Sequence, residues 1–353
     1  MWPFLVLLLG GEVVVKEEPF KGFEEIPEVG PPPELRPVEA VQKEVPFVSV
    51  VGNITLALSG ERWVPDRNKV VLERVELALQ SWLYPSVRGE AFLSFRRKPG
   101  TGEVEVEVYE AYGRFLRLGR GLEGIAGRFR PAFGFVNRLH PHHRPFVDLP
   151  EVVGGLLGPE GLGAEGIWLK RSLGRASGEV GVWRPWTEAG ALEFEGRVIY
   201  SLGLSASLEG VKASLHGFRR DGGGHMLWLG LWKEKALGDA RWSIEGAYGR
   251  KPGGGFVRGL YAFVKRTAGR GWEIGLRGDY LREPAGERKG ASLIALHRVS
   301  PTILLALQGK YTKSPTETGF EFLARLSWGI GPYAHPLSVA ERVMESVPKE
   351  VPK

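Results

Sequence analysis

The stretch GFEFLARLSW, residues 319–328, alternates between two kinds of side chain at every second position. One phase is apolar and rich in aromatic rings: Phe320, Phe322, Leu326 and Trp328. The other phase is polar or charged: Glu321, Arg325 and Ser327. Because successive side chains of a strand point to opposite faces, this period of two predicts a β-strand with one apolar and one polar face.

The same alternation recurs along most of the chain. It is seen in VSVVGNITLALSG (48–60), ARWSIEGAYG (240–249), GWEIGLRGDY (271–280) and TILLALQGKYT (302–312). Clusters of Gly, Pro and Asp separate such runs and are typical of hairpin turns, at 97–102, 220–224, 250–255, 267–271 and 282–287. The pattern predicts an all-β chain of about 16 antiparallel strands, with 14 to 18 as the range.

Three features favour a transmembrane β-barrel over a large soluble β-sandwich, which also alternates. The apolar phases begin or end in aromatic residues, as in Trp272 and Tyr280, which is typical of the two membrane interfaces. The opposite phases carry charges, and the strands are long enough to cross a bilayer when tilted. Two runs fit poorly: 225–235 is apolar on both faces, and 255–266 carries Arg258 and Lys265 in opposite phases.

The two ends of the chain have a different composition. Residues 1–11 form a short apolar run that predicts a signal peptide, although a buried strand is an alternative. Residues 12–46 contain seven Pro and nine Glu and predict a disordered arm, because such a segment cannot bury a core. The barrel is expected over 47–337, with a loose tail over 338–353.

Composition excludes several classes of protein. The chain has no Cys, so neither a disulfide framework nor a cysteine-ligated metal is possible. Its net charge is +6, but acidic residues are interleaved with the basic ones, and nothing predicts nucleic-acid binding. A barrel of this size encloses an aqueous lumen, in which a net positive charge favours anions. The charged side chains predicted to line it are Arg241, Glu245, Arg277, Asp279, Lys310 and Arg325.

One run differs from the rest of the chain: GRFRPAFGFVNRLHPHHRPFVDLP, residues 127–150. It lies between two predicted strands and begins a long connection, about 134–163, with four prolines and several apolar anchors. Loops this long are usually functional or disordered, and the anchors favour an ordered one. We expect it to fold into the lumen as a constriction, where the charge is set by Arg128, Arg130, Arg138 and Arg144.

The segments VELALQSWLYPSVRGEAFLSF (75–95), VEVEVYEAYGRF (104–115) and GPEGLGAEGIWL (158–169) accompany that run, and LSWGIGPYAHPL (326–337) closes the set. Together they resemble a bacterial outer-membrane β-barrel family labelled zinc-regulated or TonB-dependent outer-membrane proteins, which is distantly porin-like. The resemblance implies an outer-membrane location. Only about 46 residues precede the first predicted strand, so we expect no plug domain and passive rather than energy-coupled passage.

The histidines of this run raise the possibility of a metal site. His140, His142, His143 and Asp148 are ligand types that zinc prefers, and a turn at Pro145 would let Asp148 approach the imidazoles. The alternative is that these side chains hydrogen-bond to Asp148, to wall carboxylates or to backbone and pin the loop. No other cofactor is indicated.

No enzymatic motif is found. The sequence contains no G-x-S-x-G and no glycine-rich phosphate loop, so we expect a protein that is not an enzyme. The leading hypothesis is a porin-like channel for small polar or anionic solutes. The alternatives are a non-conducting structural or partner-binding barrel and a barrel for metal-linked import. Expected partners are outer-membrane lipid, small solutes, a cell-wall or periplasmic partner bound by 12–46, and further copies in a homotrimer.

Overall fold

The computed structural model describes ten stretches of the chain: 47–59, 70–84, 86–97, 103–131, 133–186, 197–237, 240–251, 254–269, 271–300 and 302–330. The predicted signal segment 1–11, the arm 12–46 and the tail 338–353 lie outside these residues.

The strands form a single antiparallel sheet that closes on itself, since β1 pairs with β16 from Val50 opposite Ile330 to Ser59 opposite Glu321. The prediction of about 16 antiparallel strands in a barrel is confirmed. The strands are β1 (Phe47–Ser59), β2 (Val70–Tyr84), β3 (Val87–Arg97), β4 (Val104–Phe115), β5 (Leu122–Phe129), β6 (Ala164–Leu173), β7 (Ala176–Pro185), β8 (Ile199–Leu208), β9 (Val211–Arg220), β10 (His225–Leu237), β11 (Ala240–Arg250), β12 (Phe256–Gly269), β13 (Trp272–Glu283), β14 (Gly286–Ser300), β15 (Ile303–Lys313) and β16 (Thr318–Ile330).

Connections of very different length alternate along the chain and define the two ends of the barrel. The turn end carries tight connections such as Glu209–Gly210 between β8 and β9. The loop end carries the long connection 130–163 between β5 and β6. This asymmetry of short turns and longer loops is typical of outer-membrane-type barrels.

The outer face of the barrel is apolar and exposed. On β8, for example, Leu202, Leu204 and Leu208 all have more than half of their surface accessible. Aromatic side chains of the same outward phase lie near the loop end at Tyr248, Phe256, Tyr280, Tyr311 and Phe320, and near the turn end at Trp242, Trp272 and Trp328. An exposed apolar band between two aromatic belts is a lipid-facing surface, which excludes the soluble sandwich.

The inner face is polar on some strands and apolar on others. β10, which fitted the pattern poorly, faces lipid with Leu227 and Leu229 and turns Trp228 and Trp232 inward, where they are buried. The second poorly fitting run is resolved by its register, because Lys265 points inward to Glu273 while Arg258 has the outward phase. A strand is apolar on both faces where its inner side packs against something inside the barrel.

The connection 130–163 lies inside the barrel and packs against the apolar inner faces of these strands. It makes a single 3₁₀ turn, Pro141–His143, and a short helix α1, Glu151–Leu157. Its apolar side chains belong to one buried cluster with the inner wall: Phe133, Val136, Phe146, Val152, Val153, Leu156, Leu157 and Leu162. Helix α1 packs against β12, β13 and β14.

None of the helices in the described residues is both long enough and apolar enough to cross a membrane.

If the outer face contacts lipid, a charge placed on it should lower the free energy of unfolding by an amount that depends on its depth in the bilayer. Replacing Leu204, at the middle of β8, by Arg should destabilise the folded barrel by about 2–4 kcal/mol, because the charge would lie near the bilayer midplane. The matched control is Leu208→Arg, on the same strand and face at the turn end, where the cost should be about 0–1 kcal/mol. Unfolding free energies from urea titration in lipid vesicles measure both, and equal costs would contradict a membrane-embedded outer face.

Candidate functional site

Asp148 of the connection binds three side chains of the barrel wall. Its Oδ1 accepts hydrogen bonds from Arg277 Nη2 at 2.8 Å and Gln308 Nε2 at 2.5 Å. Its Oδ2 accepts from Lys310 Nζ at 2.6 Å. One loop carboxylate thus pairs with two wall cations that the sequence predicted to line an open lumen.

The charge pattern around Asp148 is nearly balanced. Arg277 also donates to Asp279 Oδ2 at 2.8 Å, and Lys310 also binds Glu151 Oε1 at 2.8 Å, at the start of α1. Burial by itself raises the pKa of Asp148, but Arg277 and Lys310 outweigh it and hold that pKa below its ordinary value. Asp148 is therefore ionised at neutral pH.

A second contact forms at Glu245 of β11, where the wall carboxylate binds loop backbone. The amides of Phe135 and Val136 donate to its two oxygens, the second at 3.4 Å, and Tyr261 donates its hydroxyl at 2.7 Å. Gly134 makes this approach possible. It has φ +64°, and a Cβ there would overlap the Glu245 carboxylate.

Arginines bind backbone carbonyls to hold the third part of the connection. Arg325 of β16 donates to Pro141 O at 3.2 Å and to Arg144 O at 2.7 Å. Arg130 and Arg144 both donate to the carbonyl of Glu160 at 2.8 Å. These contacts join the wall, the 3₁₀ turn and the end of the connection.

Asn137 joins the two ends of the connection. Its side-chain nitrogen donates to Pro131 O at 3.0 Å and Leu162 O at 3.2 Å, and its oxygen accepts from Leu162 N at 2.8 Å. The side chain is buried, and these three bonds satisfy its oxygen and its nitrogen. They close the connection into a folded unit.

The histidines lie against a different part of the wall. His140 and His142 of the connection meet Glu76 of β2, with Glu76 Oε2 at 3.3 Å from His140 Nδ1 and 3.4 Å from His142 Nδ1. The two Nδ1 atoms are 2.9 Å apart. Burial, followed by His142 and Arg130, lowers the pKa of His140 well below its ordinary value, so its imidazole is neutral at pH 7.

The structure does not assemble the predicted set of four metal ligands. Asp148 is committed to Arg277 and Lys310, and the carboxylate that joins His140 and His142 is Glu76. His143 stacks on His142, with ring centroids 4.2 Å apart, and is not one of the converging ligands. The physical reason is the course of the chain after the 3₁₀ turn, which carries Asp148 away to β13 and β15.

Two of the predicted arginines, Arg128 and Arg241, lie away from the centre of the lumen, whereas Arg138 lies inside the barrel. Arg128 belongs to the outward phase of β5 and pairs with Glu165 of β6, so it is not at a constriction. Arg241 lies at the turn end, with its Nη1 atom 4.0 Å from Glu273 Oε1. Arg138 is inside, where its guanidinium lies over the ring of Trp232 at 4.7 Å.

Several residues that build the site were not predicted. Glu76, Glu110, Gln308 and Tyr261 belong to the inward phases of their strands, and Asn137 is inside the connection. Alternation alone identifies such residues as inward-facing. It does not reveal which of them meet the connection, because that depends on the closure of the barrel.

Comparison with known proteins indicates the fold. No family model matches the chain, and no curated protein matches it, so the family expected from the sequence gains no support. Solved structures do match: an anion-selective porin from Comamonas acidovorans has a TM-score of 0.57 at 11% identity, covering 81% of this chain and 100% of the other.

Two further solved structures match the fold of this chain. Outer-membrane expressed OmpT of Vibrio cholerae has a TM-score of 0.57 at 8% identity, covering 81% of this chain and 98% of its own. A BenF-like porin from Pseudomonas fluorescens has a TM-score of 0.52 at 10% identity, covering 82% and 99%. The chain therefore has the fold of these bacterial outer-membrane β-barrels. The expected homotrimer stays a prediction.

The position of Asp148 predicts a pH-dependent attachment of the connection. A carboxylate with a depressed pKa stabilises the folded state above its ordinary pKa of 3.8, and that contribution is lost as the pH falls through the lower, folded value. Asp148→Asn should weaken the attachment at pH 7 by about 2 kcal/mol, the lower end of the range for a buried ion pair, because the amide still accepts hydrogen bonds. Hydrogen exchange of 145–160 in detergent measures this.

The control is Glu317→Gln, an exposed carboxylate in the connection between β15 and β16. It should leave the exchange of 145–160 unchanged. The difference between wild type and Asp148→Asn should shrink as the pH falls below 3.8. A difference that is constant with pH would show that the charge of Asp148 does not hold the connection.

Proposed function

We propose that this protein is a porin-like channel of the outer membrane, through which small polar solutes diffuse passively, and that the connection 130–163 narrows its lumen. The observation that carries the proposal is the placement of one long connection inside a closed barrel of 16 strands. Sixteen strands enclose more space than wall side chains fill, so an internal segment sets the width of the remaining passage.

Charged side chains that remain accessible to solvent mark a path beside the connection. They project inward from β3 to β6, on the side of the barrel away from the Asp148 contacts. Near the loop end these are Arg96, Glu105 and Glu107, and near the turn end they are Arg88, Arg114, Glu123 and Lys170. A wall with accessible charges of both signs at both ends supports passage of hydrated polar solutes.

The proposed selectivity depends on positive charges inside the barrel. Arg144 of the connection and Arg325 of β16 place two guanidinium groups there, where they donate hydrogen bonds to backbone carbonyls. The whole chain has a net charge of +6. A positive interior concentrates anions by field focusing, so we propose a mild preference for anions.

A specific observation favours a second candidate, a barrel that does not conduct. Val152, Val153, Leu156 and Leu157 of α1 are almost completely buried against the wall. Apolar packing of this kind fills space as a soluble core does and leaves no room for water on that side. A non-conducting barrel with a structural or partner-binding role would need the packing to extend across the whole lumen.

Conductance distinguishes the two candidates. The refolded full chain in planar bilayers should give stable steps of conductance. Removal of 135–160 should increase the size of these steps, because the internal segment no longer narrows the lumen. Thr316→Ala, in an exposed connection at the same end, is the matched control and should leave the steps unchanged. Heat-modifiable migration on a gel confirms that each variant forms a barrel.

Steps that appear only after removal of 135–160 would assign the connection the role of a plug and favour the second candidate. Absence of steps in both forms would reject the channel. Under a KCl gradient, the reversal potential should have the sign expected for anions. The opposite sign would overturn the proposed selectivity and leave the channel itself in place.

A further inference from the structure

Glu76, His140 and His142 bring three potential ligand atoms to one point inside the barrel. The atoms are Glu76 Oε2, His140 Nδ1 and His142 Nδ1, and the edges of their triangle measure 2.9, 3.3 and 3.4 Å. Glu76 and His142 are each only 2% exposed. Within the described residues, this is the group of His and acidic side chains whose ligand atoms converge.

The size of the triangle matches a small divalent cation. A circle through three atoms with these separations has a radius of about 1.9 Å, slightly less than the 2.0–2.2 Å of zinc–nitrogen and zinc–oxygen bonds. One ion can therefore lie at bonding distance from all three atoms, about 1 Å out of their plane. That position leaves the fourth corner of a tetrahedron for water or another small ligand.

Neighbouring side chains orient the ligands. Arg74 binds Glu76 through Oε1, at 3.3 Å, which turns Oε2 towards the histidines. His140 Nε2 lies 3.4 Å from Glu110 Oε1. A carboxylate beside the distal nitrogen of a metal-bound imidazole is the usual outer partner, since it accepts the remaining N–H and orients the ring.

Protein hydrogen bonds alone do not satisfy this cluster. Glu76 Oε2, Glu110 Oε1 and both Nε2 atoms of His140 and His142 are buried without a hydrogen-bond partner among the described residues. The contact between the two Nδ1 atoms leaves Glu76 Oε2 without a hydrogen-bond donor among the described residues. A cation at the centre would engage all three lone pairs at once.

The donor set also indicates the kind of ion. Two imidazole nitrogens and one carboxylate oxygen suit a divalent transition metal of the zinc type, whereas magnesium and calcium prefer oxygen ligands. Arg74 and Arg130 lie nearby, but Glu160 is within 4.0 Å of both guanidiniums and offsets those charges together with Glu76. A dication is therefore not opposed by a purely positive surrounding.

We propose that Glu76, His140 and His142 form a binding site for a divalent transition-metal ion of the zinc type, with Glu110 as the outer partner of His140. The ion joins the 3₁₀ turn of the connection to β2. The site differs from the one expected from the sequence, because Glu76 takes the place of Asp148 and His143 is not a ligand. It does not depend on whether the barrel conducts.

The test uses the refolded full chain without a histidine tag. Cobalt(II) should bind as one ion per chain and give the visible absorption of a tetrahedral complex, and zinc should displace it. Competition with a chromophoric chelator then gives the zinc affinity. His142→Ala and Glu76→Gln should each weaken binding by 100-fold or more, and Glu110→Gln by about 10–100-fold, as outer partners do.

His143→Ala is the matched control, because this neighbouring ring is not a ligand, and its affinity should stay within about threefold of wild type. No binding of one ion per chain, or equal losses in His143→Ala and His142→Ala, would overturn the proposal. X-ray absorption of the wild-type zinc complex needs no variant that might fail to fold. It should show two imidazoles, and fewer than two would also overturn the proposal.

Discussion

The structure depends on one constraint: backbone N–H and C=O groups that face lipid must find partners within the protein. Pairing of β1 with β16 meets that constraint by leaving no edge strand. Closure then fixes the rest of the design. It creates an outer face that is selected for lipid, and an interior of sixteen strands that is too wide for the wall side chains alone to fill. The connection between β5 and β6 occupies part of that space, which explains why β10 is apolar on both faces.

Inside the barrel, the connection is held by three chemically different contacts. Asp148 binds wall cations, Glu245 binds loop amides, and Arg325 binds loop carbonyls. Each contact satisfies a group that would be costly to bury alone, and the costs of burial and the gains of pairing nearly cancel. The net attachment comes from apolar packing of α1 and the loop phenylalanines, while the polar contacts fix the position of the segment.

The side chains of the outer face could be predicted from the sequence, whereas the contacts inside the barrel could be predicted only in part. Alternation in β13 and β16 was enough to place Arg277 and Arg325 on the inner face and Leu276 and Leu326 on the outer one. Arg128 was misplaced because β5 is short, and Phe129 takes the inward phase at its end.

The histidine cluster shows the limit of sequence reasoning most clearly. His140 and His142 are two residues apart and were recognised together, but Glu76 is more than sixty residues away on another strand. Nothing in its neighbourhood distinguishes it from the other inward carboxylates. Its meeting with the histidines depends on how far the chain travels across the lumen, which is a property of the closed cylinder and of the prolines that direct the connection.

The connection also has a mechanical consequence. A barrel one sheet thick resists stretching along its hydrogen bonds, but a hollow cylinder is easily flattened into an oval. Because the connection touches β2 on one side and β11, seven places away around the ring of 16 strands, on the other, it acts as an internal brace across the cross-section. Lateral pressure from the surrounding lipid then compresses this folded segment. The round cross-section of the barrel is therefore maintained by the internal connection as well as by the wall.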